Sequence, residues 1–295
     1  MSTDSFDSAL KKKLYETFYA FDSLLKKHSI QYFAGSGTAI GAVRHKGIIP
    51  WDDDIDVFIP RADYERFLSL STIFNKEGYG ISSIHDVNGV ATHAKFYDLN
   101  TTFLEFEEIP FVYGVFIDVF PLDYTDVSCE EFLKTYRKFK TLVRLNWLAC
   151  STFSFTRSFQ HLKKHDWRLL KMNLLSLAVP GFLKPLIRKR ILNLEQSVAS
   201  STPSEHMVSY YGVYWDKEFF QSEWFATALE VPFGEGTIKM PVGYDHYLKS
   251  VYGDYMTPPP ASKQVYVHLH YYFNLHEHLN MEEIKKRVAS GIHEE

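Results

Sequence analysis

Apolar residues recur at helical spacing at the start of the chain and later alternate with polar ones. Residues 6–28 carry apolar side chains every three or four positions, with lysines between them, which predicts an amphipathic helix. A short strand over 31–34 and a brief helix over 40–44 are predicted next. Residues 54–60 alternate as a half-buried strand does. Apolar residues on one side of 61–75 predict a second helix.

The rest of the pattern divides the chain into three parts. Residues 1–125 form a predicted α/β core, residues 126–205 a helical insert, and residues 206–295 an α/β portion that returns to the core. Further strands are predicted over 79–84, 92–97, 102–106, 115–120, 207–211, 224–231 and 237–240, with a helix over 245–251. The predicted fold class is therefore mixed α/β (α+β) with a helical insert.

Composition narrows the class of protein. The chain has 295 residues, of which 45% are apolar and 23% charged, so it is not disordered, collagen-like or fibrous. Cys129 and Cys150 are too few for a disulfide scaffold or a four-cysteine zinc site, and we expect two reduced thiols. The first ten residues lack an apolar signal region. The best apolar run, 174–187, is broken by prolines and a lysine. We expect a cytoplasmic protein.

Charge is distributed unevenly along the chain. The net charge is −4, but the segment from Lys134 to Arg190 contains fourteen Lys or Arg and one acid, Asp166. A basic helical segment that bears Trp and Leu is typical of a surface that binds anionic membrane. A helical subdomain with a solvated lysine face explains the pattern equally well. Nucleic acid is disfavoured as a partner because the remainder is acidic and no binding motif is present.

The candidate chemistry centres on aspartates. Asp54 and Asp56 occupy alternate positions of a predicted strand, so both carboxylates lie on one face. Asp118 interrupts an apolar, β-favouring run and is costly there without a cation. Together the three oxygen ligands suit Mg²⁺, with Mn²⁺ as an alternative. The neighbouring Asp52 and Asp53 are as readily explained as loop acids or helix caps.

A small-residue turn and a basic turn precede the aspartates. Gly35-Ser36-Gly37-Thr38, between a strand and a helix, is typical of a backbone that binds phosphate, although such residues also make ordinary turns. Arg44 and Lys46 are placed to neutralise a diphosphate, or are simply exposed. Lys95 is a third candidate for phosphate. His268 and His270 share a strand face, but a zinc site would need further ligands, and ordinary histidines are expected.

The two ends of the chain resemble a known family. Residues 35–38, 41–47 and 49–56 are similar to the signature of the LicD family, which includes bacterial phosphocholine transferases and is related to fukutin. Residues 240–248 and 252–256 are similar to its second motif block. The resemblance implies a nucleotidyltransferase-like fold of the DNA polymerase β superfamily. It also implies that Asp54 and Asp56 bind metal and that a later strand supplies a third carboxylate, Asp118.

The resemblance further implies a reaction. A phospho-alcohol, phosphocholine first, moves from a CDP-linked donor to a hydroxyl of a cell-surface glycan or its lipid-linked precursor, and CMP leaves. Asp118 would hold metal and orient or deprotonate the acceptor hydroxyl. Tyr244, Asp245, Tyr252 and Asp254 either shape a pocket or pack and cap locally. Two alternatives stay open: a nucleotidyltransferase that releases pyrophosphate, and a catalytically silent module that binds glycan or membrane through the basic insert. A lipid-linked acceptor would explain the basic helices, because the enzyme would then work at the inner face of the plasma membrane.

Overall fold

A computed structural model describes residues 3–86, 89–163, 165–265 and 270–294. The described helices are α1 (Thr3–Lys27), α2 (Ser36–Arg44), α3 (Arg61–Ser69), α4 (Ser71–Lys76), α5 (Cys129–Cys150), α6 (Phe155–Lys163), α7 (Trp167–Leu175), α8 (Lys184–Val198), α9 (Tyr244–Tyr252) and α10 (Met281–Ala289). The described strands are β1 (Phe33–Ala34), β2 (Asp56–Pro60), β3 (Tyr79–Ser82), β4 (Ala94–Asp98), β5 (Thr102–Leu104), β6 (Phe116–Thr125), β7 (His206–Val208), β8 (Phe219–Gln221), β9 (Ala228–Phe233), β10 (Gly236–Pro241) and β11 (Tyr272–Asn274). Short 3-10 helices cover Ser176–Ala178, Gly181–Leu183, Trp215–Glu218, Ser222–Phe225 and Ala261–Lys263.

A mixed sheet organises the fold, and the mixed α/β class predicted from the sequence is confirmed. Within the described ranges it has seven strands, ordered β1-β2-β6-β4-β3, with β7 and β8 added at the far end of β6. Strands β2 and β6 run parallel, whereas the other neighbours are antiparallel. Strand β6 is ten residues long, so its first half joins β2 and β4 while its last residues pair with β7. The long central strand therefore connects the N-terminal and C-terminal parts.

The main core is built from both ends of the chain. Helix α1 contributes Phe18 and Phe21, the central strands contribute Val57 and Val119, and the C-terminal part adds the side chain of Tyr247. These side chains are almost completely buried, and the aromatic rings pack edge to face. Such contacts add about 0.5–1.5 kcal/mol per pair beyond burial. The C-terminal part thus shares one core with the N-terminal part.

The basic insert has a core of its own. Phe132, Tyr136 and Phe139 of α5 pack with Ile187 and Ile191 of α8. Ser128 and Glu131 form a capping box at the start of α5, which satisfies the first amide groups of this helix. No single helix in the described ranges is long and apolar enough to cross a membrane. The length and apolar composition of a membrane-spanning segment are reached only by one pair of helical segments, Trp167–Ala178 and Gly181–Val198, which is bent by 70°.

A buried ion-pair network joins the insert to the sheet. Arg61, the first residue of α3, donates to both carboxylate oxygens of Asp123 at 2.7 and 2.8 Å. It also donates to Glu195 of α8 at 3.0 Å. Asp123 accepts a further hydrogen bond from the Ser200 amide. Burial and the two carboxylates act oppositely on Arg61, and the carboxylates prevail, so its pKa is raised.

Several sequence-based element boundaries were wrong. The helix predicted over 61–75 is interrupted at Leu70, and the strand predicted over 224–231 begins as a 3-10 helix before β9. Strands β8 and β11 and helix α10 were missed. Helix α10 carries a readable signal, because Asn280 and Glu283 form a capping box ahead of buried Ile284. The aromatic run before it obscured that signal.

Candidate active site

Two parallel strands bring the carboxylates together. In the pairing of β2 with β6, Asp56 lies directly beside Asp118. The Asp118 amide donates to the Ile55 carbonyl at 2.9 Å, which fixes the approach of the segment that carries Asp54. Asp54, Asp56 and Asp118 each offer one oxygen within 4.8 Å of the others. Asp54 precedes β2 by two residues rather than lying inside the strand, but its side chain still reaches the shared face.

The preceding acidic residues lie at the same place. Asp52, Asp53 and Asp54 also bring one carboxylate oxygen each within 4.8 Å of the others. Asp53 is buried, and its Oδ2 lies 2.9 Å from Nε2 of His270. His270 therefore pairs with an acid of this cluster, which sequence reasoning did not expect. His268 lies outside the described residues.

Concentrated negative charge dominates the electrostatics of the cluster. Burial raises the pKa of Asp54 well above its ordinary value, and repulsion from Asp56, Asp52, Asp118 and Asp53 raises it further. Carboxylates this close repel one another unless a cation is shared among them. Hard oxygen ligands on a half-buried face are what Mg²⁺ and Mn²⁺ bind in proteins. The donor set therefore fits a divalent cation.

Asp118 differs because it has a lysine and a histidine as partners. Lys95 Nζ lies 2.9 Å from Asp118 Oδ1, and His93 Nε2 lies 2.7 Å from the same oxygen. Burial alone would raise the pKa of Asp118, but Lys95 and His93 outweigh it and lower that pKa. Lys95 is itself buried, 3.4 Å from Glu105 and 3.4 Å above the centre of the Phe116 ring. Its pKa is raised because Asp118 and Glu105 overcome the effect of burial.

Sequence reasoning identified Lys95 but missed two of its neighbours. His93 and Lys95 are two residues apart and lie on the same face of the segment that leads into β4. Lys95 lies opposite Asp118 in the antiparallel pairing of β4 with β6. The i, i+2 spacing of His93 and Lys95 was a usable signal. The approach of Glu105 from beyond β5 depends on tertiary structure and left no such signal.

The small-residue segment is part of a helix rather than a turn ahead of one. Gly35 is the N-terminal cap of α2, and Ser36, Gly37 and Thr38 form its first turn, four residues earlier than the predicted start at 40. The Asp56 amide donates to the Thr38 hydroxyl at 2.8 Å, so this turn is tied to the strand that carries the aspartates. A Cβ at Gly37 would lie 2.8 Å from Asp52 Oδ2, so the Asp52 carboxylate would have to shift to admit a side chain there.

The C-terminal motif contacts both ends of α2. The Ser36 amide donates to the Tyr247 hydroxyl at 2.9 Å, and Arg44 Nη1 donates to the Tyr255 carbonyl at 2.7 Å. Arg44 also lies 5.9 Å from the centre of the Trp51 ring, and burial lowers its pKa. Lys46 is exposed, and its backbone is in the left-handed region. Its carbonyl accepts a hydrogen bond from the Gly234 amide.

The other motif residues make local contacts. Asp245 accepts from Lys249 at 2.7 Å and from the Tyr255 hydroxyl at 2.9 Å. Asp254 accepts from Thr257 in a turn, and the ring of Tyr252 packs against Tyr214. Tyr244 packs against the main core. The observed contacts of these four residues are ring packing, an ion pair and a turn.

Comparison with known proteins also indicates similarity to the LicD family. Residues 29–164 match the model of a family described as LicD/FKTN/FKRP, nucleotidyltransferase domain. A lipopolysaccharide cholinephosphotransferase, LicD, of Haemophilus influenzae is 29% identical over 254 residues, which cover 83% of this chain and 89% of the relative. Uncharacterized proteins of Rickettsia typhi and Rickettsia prowazekii are 44% and 42% identical over 68 and 69 residues, about a quarter of each chain.

Proposed function

Because this chain carries a LicD-family domain over residues 29–164 and is a LicD-like phosphotransferase, we propose that it transfers a phospho-alcohol, phosphocholine first, from a CDP-linked donor. The acceptor is a hydroxyl of lipopolysaccharide, of another cell-surface glycan, or of a lipid-linked precursor. The acceptor oxygen forms a bond to the phosphorus that bears the alcohol, the bond from that phosphorus to CMP breaks, and the hydroxyl proton passes to solvent or a base.

The observation that carries the proposal is the convergence of Asp54, Asp56 and Asp118 within 4.8 Å. A bound Mg²⁺, or Mn²⁺, would neutralise the diphosphate and stabilise charge on departing CMP. Asp54 and Asp56 would hold it, because their mutual repulsion is what a cation relieves. The lowered pKa of Asp118 makes this residue a poor base. We therefore assign Asp118 to metal binding and orientation of the acceptor.

The surrounding groups suit a diphosphate. The first turn of α2 leaves amide groups of Gly37 and Thr38 without partners inside the helix, and the positive end of the helix dipole favours phosphate there. Arg44 is the last residue of α2, at the opposite end of the helix from this turn, and it donates a hydrogen bond to the Tyr255 carbonyl. We propose Arg44 and Lys46 as phosphate ligands, with Gly35 and Ser36 shaping the turn. Lys95 contributes positive charge through its ion pair with Asp118.

The fold and its division complete the proposal. We propose that the mixed sheet is of the nucleotidyltransferase type of the DNA polymerase β superfamily. The adjacent carboxylates on β2 and β6 and the helix terminus facing them support this assignment. Residues 1–125 would form the catalytic core, 126–205 the insert, and 206–295 the part that completes the site through Tyr247 and Tyr255.

Product analysis tests the reaction. Purified protein with Mg²⁺ is offered CDP-choline, CDP-ethanolamine, CDP-ribitol and CDP-glycerol, with lipopolysaccharide as acceptor and CTP and ATP as controls. We expect CMP and modified acceptor from one CDP-alcohol. Asp54→Asn and Asp56→Asn should each lower turnover by more than about a hundredfold, because ligands matter more than their outer partners. Asp126→Asn, an exposed acid at the end of β6, is the matched control.

Other products would change the conclusion. Pyrophosphate from CTP or ATP would establish a nucleotidyltransferase instead. Calorimetric titration with Mg²⁺ gives a readout separate from turnover, and equal affinity in the wild type and in Asp54→Asn would contradict the metal assignment. Absence of turnover on every donor, together with binding of the glycan, would favour the silent module.

We further propose that the insert contacts anionic membrane at the inner face of the plasma membrane. Phe155 and Phe182 are 83% and 80% exposed, unusual for large apolar side chains. Lys163, Arg168 and Lys171 are exposed among them. The exposed apolar side chains of the insert also include Phe159, Leu162, Trp167, Leu174, Leu177 and Leu186. Apolar side chains interleaved with basic ones suit insertion at an anionic lipid surface.

Vesicle flotation tests the membrane proposal. We expect the protein to float with vesicles that contain phosphatidylglycerol and to stay behind with phosphatidylcholine alone. The Phe155→Ser/Phe182→Ser variant should lose flotation, whereas Val213→Ser, which alters a comparably exposed side chain outside the insert, should keep it. Flotation of neither protein would leave the insert as an ordinary helical subdomain.

A further inference from the structure

A cavity of about 180 Å³ opens beside the carboxylates. Lys95 and His93, the two partners of Asp118, line one side of it. The segment before β4, the loop after β5 and helix α5 of the insert line the remainder. The cavity therefore lies next to the candidate active site, with Lys95 and His93 between it and Asp118. None of the proposed functions above assigns it a ligand.

The walls away from Asp118 are aromatic. Phe106, Phe111, Tyr113 and Trp147 all line the cavity. The rings of Phe106 and Trp147 lie 6.3 Å apart at 83°, and those of Phe111 and Tyr113 lie 4.6 Å apart at 51°. Tyr113 is buried, whereas Phe106 is 39% exposed. Several aromatic rings around one space are a general means of binding an organic cation.

The polar groups of the cavity carry an excess of acid. Glu105 lines it, and with Asp118 it offers two carboxylates to the one ammonium of Lys95. Asn146 of α5 also lines it and is almost completely buried. Asn146 Nδ2 donates to the Val90 carbonyl, while no donor among the described residues reaches Asn146 Oδ1. A cation that enters the cavity therefore meets π faces and a Lys95 ammonium whose charge is offset by two carboxylates.

We propose that this cavity holds the quaternary ammonium of the transferred alcohol. The inference rests on the proposed phosphotransfer and assigns the ammonium end of the donor to a place in the fold. With its phosphate at Lys95, His93 and the carboxylate-bound metal, a phosphocholine group would extend its trimethylammonium end between the aromatic rings. An engineered cavity of about 150 Å³ accepts benzene, so the space suffices for a group of this size. Ribitol or glycerol would instead bury hydroxyls against rings, which is costly without hydrogen bonds.

The proposal gives the insert a role in specificity. Trp147 and Asn146 belong to α5, so one wall of an alcohol subsite comes from outside the catalytic core. The other walls come from residues 90–113, in the part of the chain that carries the aspartates. Exchange of α5 side chains should therefore change which alcohol is accepted without moving the carboxylates.

Donor kinetics provide the first test. Trp147→Leu keeps the bulk of the wall but removes its π face. We expect the KM for CDP-choline to rise about three- to thirtyfold, the range of a cation–π contact, with CDP-glycerol and CDP-ribitol little changed. Phe106→Leu, at a partly exposed wall position, should act in the same direction. Trp215→Leu, an exposed tryptophan outside the cavity, is the matched control and should leave all donors unchanged.

Binding without turnover separates this proposal from the phosphotransfer. Choline and dimethylbutanol, its uncharged carbon isostere, are titrated into the wild type, Trp147→Leu and Glu105→Gln. We expect choline to bind more tightly than the isostere and to bind more weakly to both variants than to the wild type. That result supports the assignment of the cavity to the quaternary ammonium even if no CDP-alcohol is a donor. Equal binding of the two compounds, unchanged choline binding in Trp147→Leu, or an equal loss on all donors would overturn it.

Discussion

The ion-pair network of Arg61 gives the sharpest prediction of stability. Arg61, Asp123 and Glu195 have side chains that are 5%, 1% and 6% exposed, so none of their charges is well solvated. Arg61→Met would remove all three of its hydrogen bonds to Asp123 and Glu195 and leave two carboxylates facing an apolar side chain. Breaking a buried ion pair from one side costs about 3–5 kcal/mol, mostly because the remaining charge is uncompensated.

The expected loss is about 4 kcal/mol. The amide of Ser200 still donates to Asp123, which moderates the loss, while the proximity of Glu195 adds repulsion. For a chain of this length the unfolding entropy is about 0.6 kcal/mol/K, so the melting temperature should fall by about 6 °C. Urea unfolding followed by circular dichroism measures the same change as a lower midpoint at an unchanged slope.

Two controls make the result interpretable. Arg66→Met, on the same helix, removes an exposed ion pair to Asp63 and exposed hydrogen bonds to the His28 and Ser29 carbonyls. It should cost clearly less than Arg61→Met, because the groups left behind can be hydrated. The triple variant Arg61→Met/Asp123→Leu/Glu195→Leu removes every charge of the network and should recover most of the loss. A loss below about 1 kcal/mol in Arg61→Met, or an equal loss in the triple variant, would refute the reasoning about uncompensated charge.

Three further predictions concern the remainder of the molecule. Burial raises the pKa of Glu218 to about 7, so the folded state retains a proton that the unfolded state has lost between about pH 4.5 and 7. Stability should therefore fall as pH rises through that window. The melting temperature of Glu218→Gln should depend less on pH than that of the wild type, and identical pH profiles for the two proteins would contradict this. Lys95→Met should lower turnover about ten- to a hundredfold, because Lys95 positions the proposed metal ligand Asp118. CMP release measured against Mg²⁺ concentration tests this, and full activity would exclude a positioning role for Lys95. Gly114→Ala should destabilise the protein by at least about 1–3 kcal/mol, because the added Cβ would overlap the Asp98 carbonyl. The control Gly181→Ala should cost little. Equal urea midpoints for the two variants would contradict the predicted overlap.

Local pattern was enough to find the elements that carry the chemistry. The apolar spacing of α1 and the alternation before Pro60 identified a helix and the strand of Asp56, because each periodicity reflects one buried face. The anomaly of Asp118 inside an apolar run was equally visible. Boundaries were less accurate, since the interruption at Leu70 reflects the packing of two helices rather than a breaking residue.

What the sequence by itself determined is the set of reactive side chains, their local strand or helix, and the charge of the insert. The tertiary structure alone decided that Asp118 lies beside Asp56 and opposite Lys95. It also placed Trp147 of the insert in a cavity with Glu105. Periodicity records only whether a side chain is buried. Which buried faces meet depends on strand order and register, and these are selected by the packing of residues far apart in the chain.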